Sequence, residues 1–501
     1  MLRFAVKRLA ILKQTAAKLK RDESGAIMVF FAVSLVVLLG LVAISFDMGR
    51  INITQTELQS YADNVALAAA GELDGKADSI TRATAAAASM ISDRQTFGEG
   101  DNTLAGVTDY TLTFLSTLPA SDADPTTAVT ADPLQAGYVR VDVTEQTVPW
   151  VFGAAFFSLS GETPPDIDEV GASAIAGFTR IACDISSMMF CVPPGFNPAA
   201  EAGNVIRLRA GGGSGQWGPG NFGFLEPPGG LSAIDPNGNC AGFSASAQEW
   251  CVLAAQSPRT VCFREEGLDT RPGQAVGRMA AAINTRFDIY EGVLNSYRDH
   301  PAFGPAPNTI SGYEVSTQGG GKTPQCKIDQ AASTEPEYTI GLPPDDCFAT
   351  DDCPGGRFGT GDFAAGYADY VATNYGTAPG WFPPYPTTRW QIYNDEIANS
   401  TDGDIAEMSG KQETGAAICN AANRTPDPER RVIIAAGVDC AANEIKGSAT
   451  GVSVDEWVRV FILQPADSVS KDIFVEVLGG AGSGAAGGGA GFLTEHIQLY
   501  R

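Results

Sequence analysis

Apolar residues follow three different periods along this chain. From Ala26 to Phe46 no charge interrupts the run AIMVFFAVSLVVLLGLVAISF. Its 21 residues, at about 1.5 Å each, match the roughly 30 Å hydrocarbon core of a bilayer, which predicts a transmembrane helix. After Asp47 polar residues enter, but apolar or small ones return at Ile51, Leu58, Tyr61, Val65 and Ala68 or Ala69, with Thr54 filling one slot. That is the one-face period of a helix. Ala-rich sequence carries it to Ala70, and Gly71 with Asp74-Gly75 supplies the stop. The pattern predicts one helix of roughly 65 Å, apolar all round in its first half and one-faced in its second. A further Ala-rich helix is expected from Asp78 to about Asp93.

Alternation at period two then takes over. DYTLTFLS (109–116), GYVRVDVTEQTV (137–148) and DEVGASAIAGF (168–178) read as strands, with Val139, Val141 and Val143 facing one way. SDADPTTAVTADP (121–133) reads as a polar loop between the first two. One long helix followed by an antiparallel meander is a small α+β unit. Beyond residue 180 Gly and Pro punctuate the chain. VIRLRAGG (205–212), RRVIIAAGVDC (430–440), EWVRVFILQPA (456–466) and DIFVEVLGG (472–480) are strand-like, residues 273–299 are the best helix there, and 300–360 shows little periodicity.

Charge orients this scheme. Seven basic groups against two acidic ones give residues 1–24 a charge of +5, which leaves −30 for the remainder of a chain whose net charge is −25. The positive-inside rule therefore keeps the N-terminus cytoplasmic and exports the bulk. An acidic exported part repels nucleic acid, so that partner class is set aside. A cleaved signal peptide is the competing reading, since Ala43-Ile44-Ser45 has the small-x-small pattern, but the apolar run exceeds the ~7–15 residues of a signal core. Asp47 sits where the apolar run ends; a carboxylate costly in hydrocarbon is tolerated at the interface, so the boundary is placed at Ala26 and at Phe46/Asp47.

All ten cysteines (Cys183, Cys191, Cys240, Cys251, Cys262, Cys326, Cys347, Cys353, Cys419 and Cys440) follow the apolar run, in the part an oxidising compartment would hold. Near neighbours offer pairs such as Cys183 with Cys191, Cys347 with Cys353 and Cys419 with Cys440, although spacing alone does not fix connectivity. With two histidines and no CxxC, the chain has little material for zinc or thioredoxin-like chemistry. GGGKT (319–323) lacks the first Gly of a phosphate loop and meets Pro324, while GSGAAG (482–487) leaves no room before Arg501 for a βαβ unit. DPNGN (235–239) lacks the Gly and Glu that would complete a calcium loop. His300 and His496 come with no nucleophile elbow, and neither catalysis nor a cofactor is expected.

The segment GAIMVFFAVSLVVLLGLVAISFDMGRINITQTELQSYADNVALAAAGEL resembles the Tad (Flp) pilus-assembly TadE/TadG-like family. The resemblance rests on a Gly-initiated apolar span, a step at Asp47 and Gly49, a polar helix with Leu58 and Gln59, and an Ala-Asp-x-x-Ala-Leu-Ala box from Ala62 to Ala68 that contains Asp63. The family usually has smaller residues where Tyr61 and Asn64 stand. Segments 217–230, 283–290, and 430–440 followed by 458–465, resemble TadG-type ectodomains more loosely.

The resemblance implies a single-pass inner-membrane protein with a periplasmic ectodomain, working with other Tad assembly proteins or pilin in a pilus used for adhesion. Phe30 stands where cleaved minor pilins carry Glu, which favours an uncleaved anchor. Some TadG-like proteins hold a von Willebrand A-like domain whose metal site begins Asp-x-Ser-x-Ser; Asp184 and Ser186 fit, but Met188 replaces the second Ser and removes an oxygen ligand. A tethered surface adhesin or von Willebrand A-like binding module is the alternative function.

The expected order is a basic cytoplasmic segment (1–24), the transmembrane helix (25–47), extramembrane helices (48–95) and a β-rich pilin-like unit (96–180). A loop-rich mixed α/β ectodomain with disulfides follows (181–501), conceivable as a degenerate von Willebrand A-like domain. The fold class is α+β.

Overall fold

The computed structural model describes residues 26–74, 76–89, 93–97, 103–104, 108–118, 128–133, 135–163, 169–183, 185–211, 215–226, 240, 245–256, 262–264, 268–272, 276–316, 326–329, 338–466, 471–481 and 493–500. The basic segment 1–24, GGGKT, DPNGN and GSGAAG lie outside them, as do 121–127 of the polar loop. The fold is mixed α+β in two compact units. One takes the described residues up to Phe178 together with those from His496 on; the other takes Thr179 to Glu495.

The first unit is built on helix α1, Ala26–Ala70, which has 45 residues and is therefore about 67 Å long. Its first half is exposed on nearly every side, and it is long and apolar enough to cross a membrane. From residue 51 burial becomes periodic: Ile51, Thr54, Leu58, Tyr61, Ala62, Val65, Ala66 and Ala69 are all buried. This is the face the sequence period marks out. Helix α2, Ser79–Ala88, is shorter than expected, because Asp93–Arg94 instead pairs antiparallel with Thr103–Leu104. Arg82 of α2 ties the turn together through ion pairs with Glu72, Asp74 and Asp78.

Strands β1 (Tyr110–Leu115), β2 (Tyr138–Thr147) and β3 (Glu169–Cys183) form the expected antiparallel meander. Val139, Val141 and Val143 are buried opposite Ala176, Ala174 and Ala172, and they share one core with the buried face of α1. Small residues on β3 admit the helix closely. A short apolar helix, α3 (Gly153–Ser160), interrupts the meander between β2 and β3.

The second unit has strands β4 (Met188–Cys191), β5 (Val205–Ala210) and β6 (Asn221–Leu225), helix α4 (Ala245–Ala254), β7 (Leu268–Pro272) and helix α5 (Val276–Asn284). Helices α6 (Ala364–Asn374) and α7 (Arg389–Ala398) follow, then β8 (Val432–Val438), β9 (Ala449–Val452), β10 (Glu456–Ile462) and β11 (Ile473–Gly480). Strand β12, Leu493–Leu499, returns to the edge of the meander beside β3, where Tyr500 donates its N–H to Ile175 O at 2.8 Å.

The large sheet runs β9-β7-β6-β4-β8-β10-β11-β5, and β5 also pairs with β6, so six strands close into a ring. The end of β10 and the residue after it divide their side chains between two cores. Val458, Val460 and Ile462 meet Ile206, Leu208, Val475 and Val477, while Phe461 and Leu463 turn beneath Tyr370, Ile392 and Tyr393 of α6 and α7. Among the described residues this sheet pairs in parallel only at β4 with β8 and at β5 with β6. The ring is thus mixed and mostly antiparallel.

The helix expected over 273–299 ends at Asn284. The chain passes through the 3₁₀ turn Thr285–Phe287 and reverses at Asp288, whose backbone is left-handed (φ 64). Its carboxylate accepts the N–H groups of Ile418, Cys419 and Asn420, and burial raises its pKa against the pull of those donors.

All ten cysteines are bonded, as Cys183–Cys262, Cys191–Cys440, Cys240–Cys251, Cys326–Cys419 and Cys347–Cys353. Of the near-neighbour pairs only Cys347–Cys353 forms. Cys183 instead lies directly across from Cys262 on a neighbouring strand. Cys191 ends β4, and its parallel partner in β8 is Val438, two residues before Cys440. Strand register, not spacing in sequence, selects these partners.

Candidate functional site

The seam between the apolar and one-faced halves of α1 is the most constructed part of the first unit. Asp47, where the apolar run ends, is only 1 % exposed. Its carboxylate accepts three consecutive backbone N–H groups, from Val151 at 3.3 Å, Phe152 at 2.9 Å and Gly153 at 2.5 Å. These open helix α3. The first N–H groups of a helix have no partner within it, and the helix dipole favours negative charge there. Asp47 supplies both needs from more than 100 residues away in sequence.

Arg50 completes the cluster. Its Nη1 lies 3.4 Å from Asp47 Oδ1 and donates to Pro149 O at 3.0 Å, with the guanidinium over the Phe97 ring. Close approach is essential. A Cβ on Gly153 would come within 2.9 Å of the Trp150 ring and 3.1 Å of Asp47 Oδ2, and one on Gly40 within 2.4 Å of the Phe156 ring. Gly40 is buried inside an otherwise exposed apolar half because Phe156 of α3 lies on it.

The other residues singled out by sequence spread along α1. Ala26 is its first residue. Phe46 is exposed, with its ring 6.0 Å from that of Phe152. A Cβ on Gly49 would meet nothing within 4 Å, so packing gives no reason for glycine there. Leu58 is fully buried. Gln59 Nε2 donates to Asp63 Oδ1 at 2.8 Å and to Ser173 O of β3 at 3.0 Å, so Asp63 orients the amide that pins α1 to the sheet.

Replacing Gln59 by Ala should remove about 1 kcal/mol of local stability. Hydrogen exchange in peptides covering 169–178 of the full-length chain should then quicken about fivefold; unchanged exchange would show that the bridge holds nothing.

Asp184 lies outside the described residues. Ser186 is buried, its N–H donating to Ile434 O at 3.0 Å. Among the described residues no group of three His, Cys, Asp or Glu side chains is placed to hold a metal ion. His300 Nδ1 accepts from Ala302 N–H at 3.2 Å, capping a 3₁₀ turn, and His496 is exposed on β12.

Sequence reasoning missed Gly40, Arg50 and α3. A signal was present: Val148 to Gly161 is a second run without charge, and Gly40 interrupts the aliphatic part of the first. The seam can lock a helix end and a sheet onto α1; it presents no nucleophile and base in reach of each other.

Against known proteins, residues 25–72 match the family model for Tad, Flp pilus-assembly TadE/G-like proteins. No curated protein and no solved structure gives a match to the chain.

Proposed function

Since residues 25–72 are a TadE/G-like Flp pilus-assembly domain, we propose that this chain is a non-enzymatic, single-pass membrane protein that assembles or anchors a Tad/Flp pilus. The observation that carries the reading is coincidence of extent: the matched residues are helix α1, Ala26–Ala70, and the turn that closes it. The domain is thus the apolar half together with the half packed into the first unit.

In this reading the apolar half spans the bacterial inner membrane with the basic N-terminus inside. The two folded units stand in the periplasm, where five disulfides form. The partners are other Tad assembly proteins or pilin, and the outcome is surface attachment. Binding rather than catalysis fits a seam whose charged groups are used to hold backbone.

Deleting the gene and imaging the cells should give fewer pili and weaker attachment, restored by the intact chain. Unchanged pilus number and attachment in the deletion strain would refute the assembly role.

A further inference from the structure

We propose that α3 is a second membrane-inserting element, a short apolar wedge lying in the exported-side leaflet beside the spanning helix and held there by Asp47. The proposal rests on the reading of α1 as membrane-spanning, and its occupant is the acyl-chain region of the lipid.

The first observation is depth. Phe156 packs on Gly40, which precedes Asp47 by seven residues, or about 10 Å along the helix axis. Whatever surrounds the outer third of the apolar span must also surround this helix. The second is surface. From Val148 to Gly161 there is no charge, and Val151, Phe152 and Leu159 are 54 %, 53 % and 80 % exposed. Phe152 continues the exposed surface of Phe46, so the apolar exterior runs unbroken from α1 onto α3. Exposed side chains of this size, grouped on one element, mark a surface that water does not cover.

The third observation is how the helix ends. In hydrocarbon every backbone polar group needs a partner within the protein. At the N-terminus Asp47 takes the N–H groups of residues 151, 152 and 153. At the C-terminus Gly161 turns left-handed (φ 75), and the N–H of Glu162 returns to Phe157 O at 3.0 Å. Eight residues give a helix of about 12 Å, which fits within one leaflet of a core about 30 Å thick. Trp150 at its entry is the residue type that favours the membrane interface. A buried carboxylate at the end of a spanning helix thereby sets how deep a neighbouring element sits.

The test uses the full-length chain in vesicles of phosphatidylethanolamine and phosphatidylglycerol. Because every native cysteine is bonded, a single added cysteine can carry a nitroxide. Spin labels at Leu159→Cys, at Leu38→Cys in the apolar half and at Glu145→Cys on the exposed sheet face are compared for relaxation by oxygen and by a water-soluble nickel chelate. The oxygen-to-nickel ratio at Leu159 should approach that at Leu38 and exceed that at Glu145 about tenfold. Adding Gly40→Leu, which evicts Phe156, should bring the Leu159 ratio toward that of Glu145 while Leu38 stays lipid-exposed.

A water-like ratio at Leu159 with a lipid-like one at Leu38 would overturn the wedge and leave the anchor standing. Low access to both reagents at Leu159 would mean that protein covers it, which also overturns the proposal. A water-like ratio at Leu38 would remove the spanning helix, and the wedge with it.

Discussion

Replacing Cys191 and Cys440 together by alanine is expected to lower the stability of the second unit by about 5 kcal/mol. The two cysteines are 249 residues apart. The Cys183–Cys262 and Cys326–Cys419 bridges shorten the covalent route between them to about 95 residues, for which the chain-entropy model gives about 4.7 kcal/mol. The same model gives about 2 kcal/mol for Cys347–Cys353, which closes a loop over a separation of only 6 residues.

Tryptophan fluorescence reads this unit selectively, since Trp217, Trp250, Trp381, Trp390 and Trp457 lie in it and only Trp150 lies outside. In urea titrations of the full-length chain in detergent, the Cys191/Cys440 variant should unfold at a clearly lower midpoint than the Cys347/Cys353 variant. Equal midpoints would mean that the closing link between β4 and the end of β8 is not what holds the ring.

That link also illustrates what sequence could and could not convey. The buried face of α1 was legible because a helix repeats it every turn, and the residues at 51, 54, 58, 61, 65 and 69 carry it within one segment. Val139, Val141 and Val143 were legible for the same reason at period two. Each is a local pattern, set by the geometry of a single element. Disulfide partners, closure of β5 on β6 and the return of β12 to β3 depend on contacts across tens or hundreds of residues, where no local period exists.

Helices α6 and α7 escaped notice because their buried residues, such as Tyr370 and Tyr393, are embedded in polar, aromatic-rich sequence without a clean apolar stripe. Asp47 is the instructive case. Its position at the end of an apolar run was sufficient to call it a boundary, yet the structure also has it accept three N–H groups, from Val151, Phe152 and Gly153, where the chain enters a helix that starts at residue 153. A carboxylate at an interface and a carboxylate capping a distant helix are the same letter in the same place; only the tertiary contact separates them.

Substituting Arg389 by methionine is expected to cost about 3–5 kcal/mol at neutral pH, because it leaves buried carboxylates facing no cation. Arg389 is fully buried with Asp345 and Glu476. Its guanidinium donates to Pro343 O at 2.9 Å, Gly203 O at 3.0 Å and the Asp345 carboxylate, and it stacks on Phe363 at 3.7 Å. Glu476 accepts the N–H groups of Arg389 and Trp390 at the start of α7.

Lysine cannot reproduce a fork that serves several acceptors and a ring face, so Arg389→Lys should recover only part of the loss. The pH dependence identifies the cause. Burial raises the Glu476 pKa above its ordinary value of 4.5, while Arg389 pulls it down. Without Arg389 that pull is gone and the folded-state pKa rises further. A carboxyl whose folded pKa exceeds its unfolded one adds stability that is complete below the unfolded value and is lost as pH rises through the folded value. The deficit of the methionine variant should therefore be greatest at pH 7–8 and shrink as pH falls toward 4.5, and Glu476→Gln in the same chain should flatten that slope. Urea midpoints followed by tryptophan fluorescence across this range decide the matter: a deficit independent of pH would assign the loss to packing against Phe363 and to the lost carbonyl bonds instead of to the stranded carboxylate.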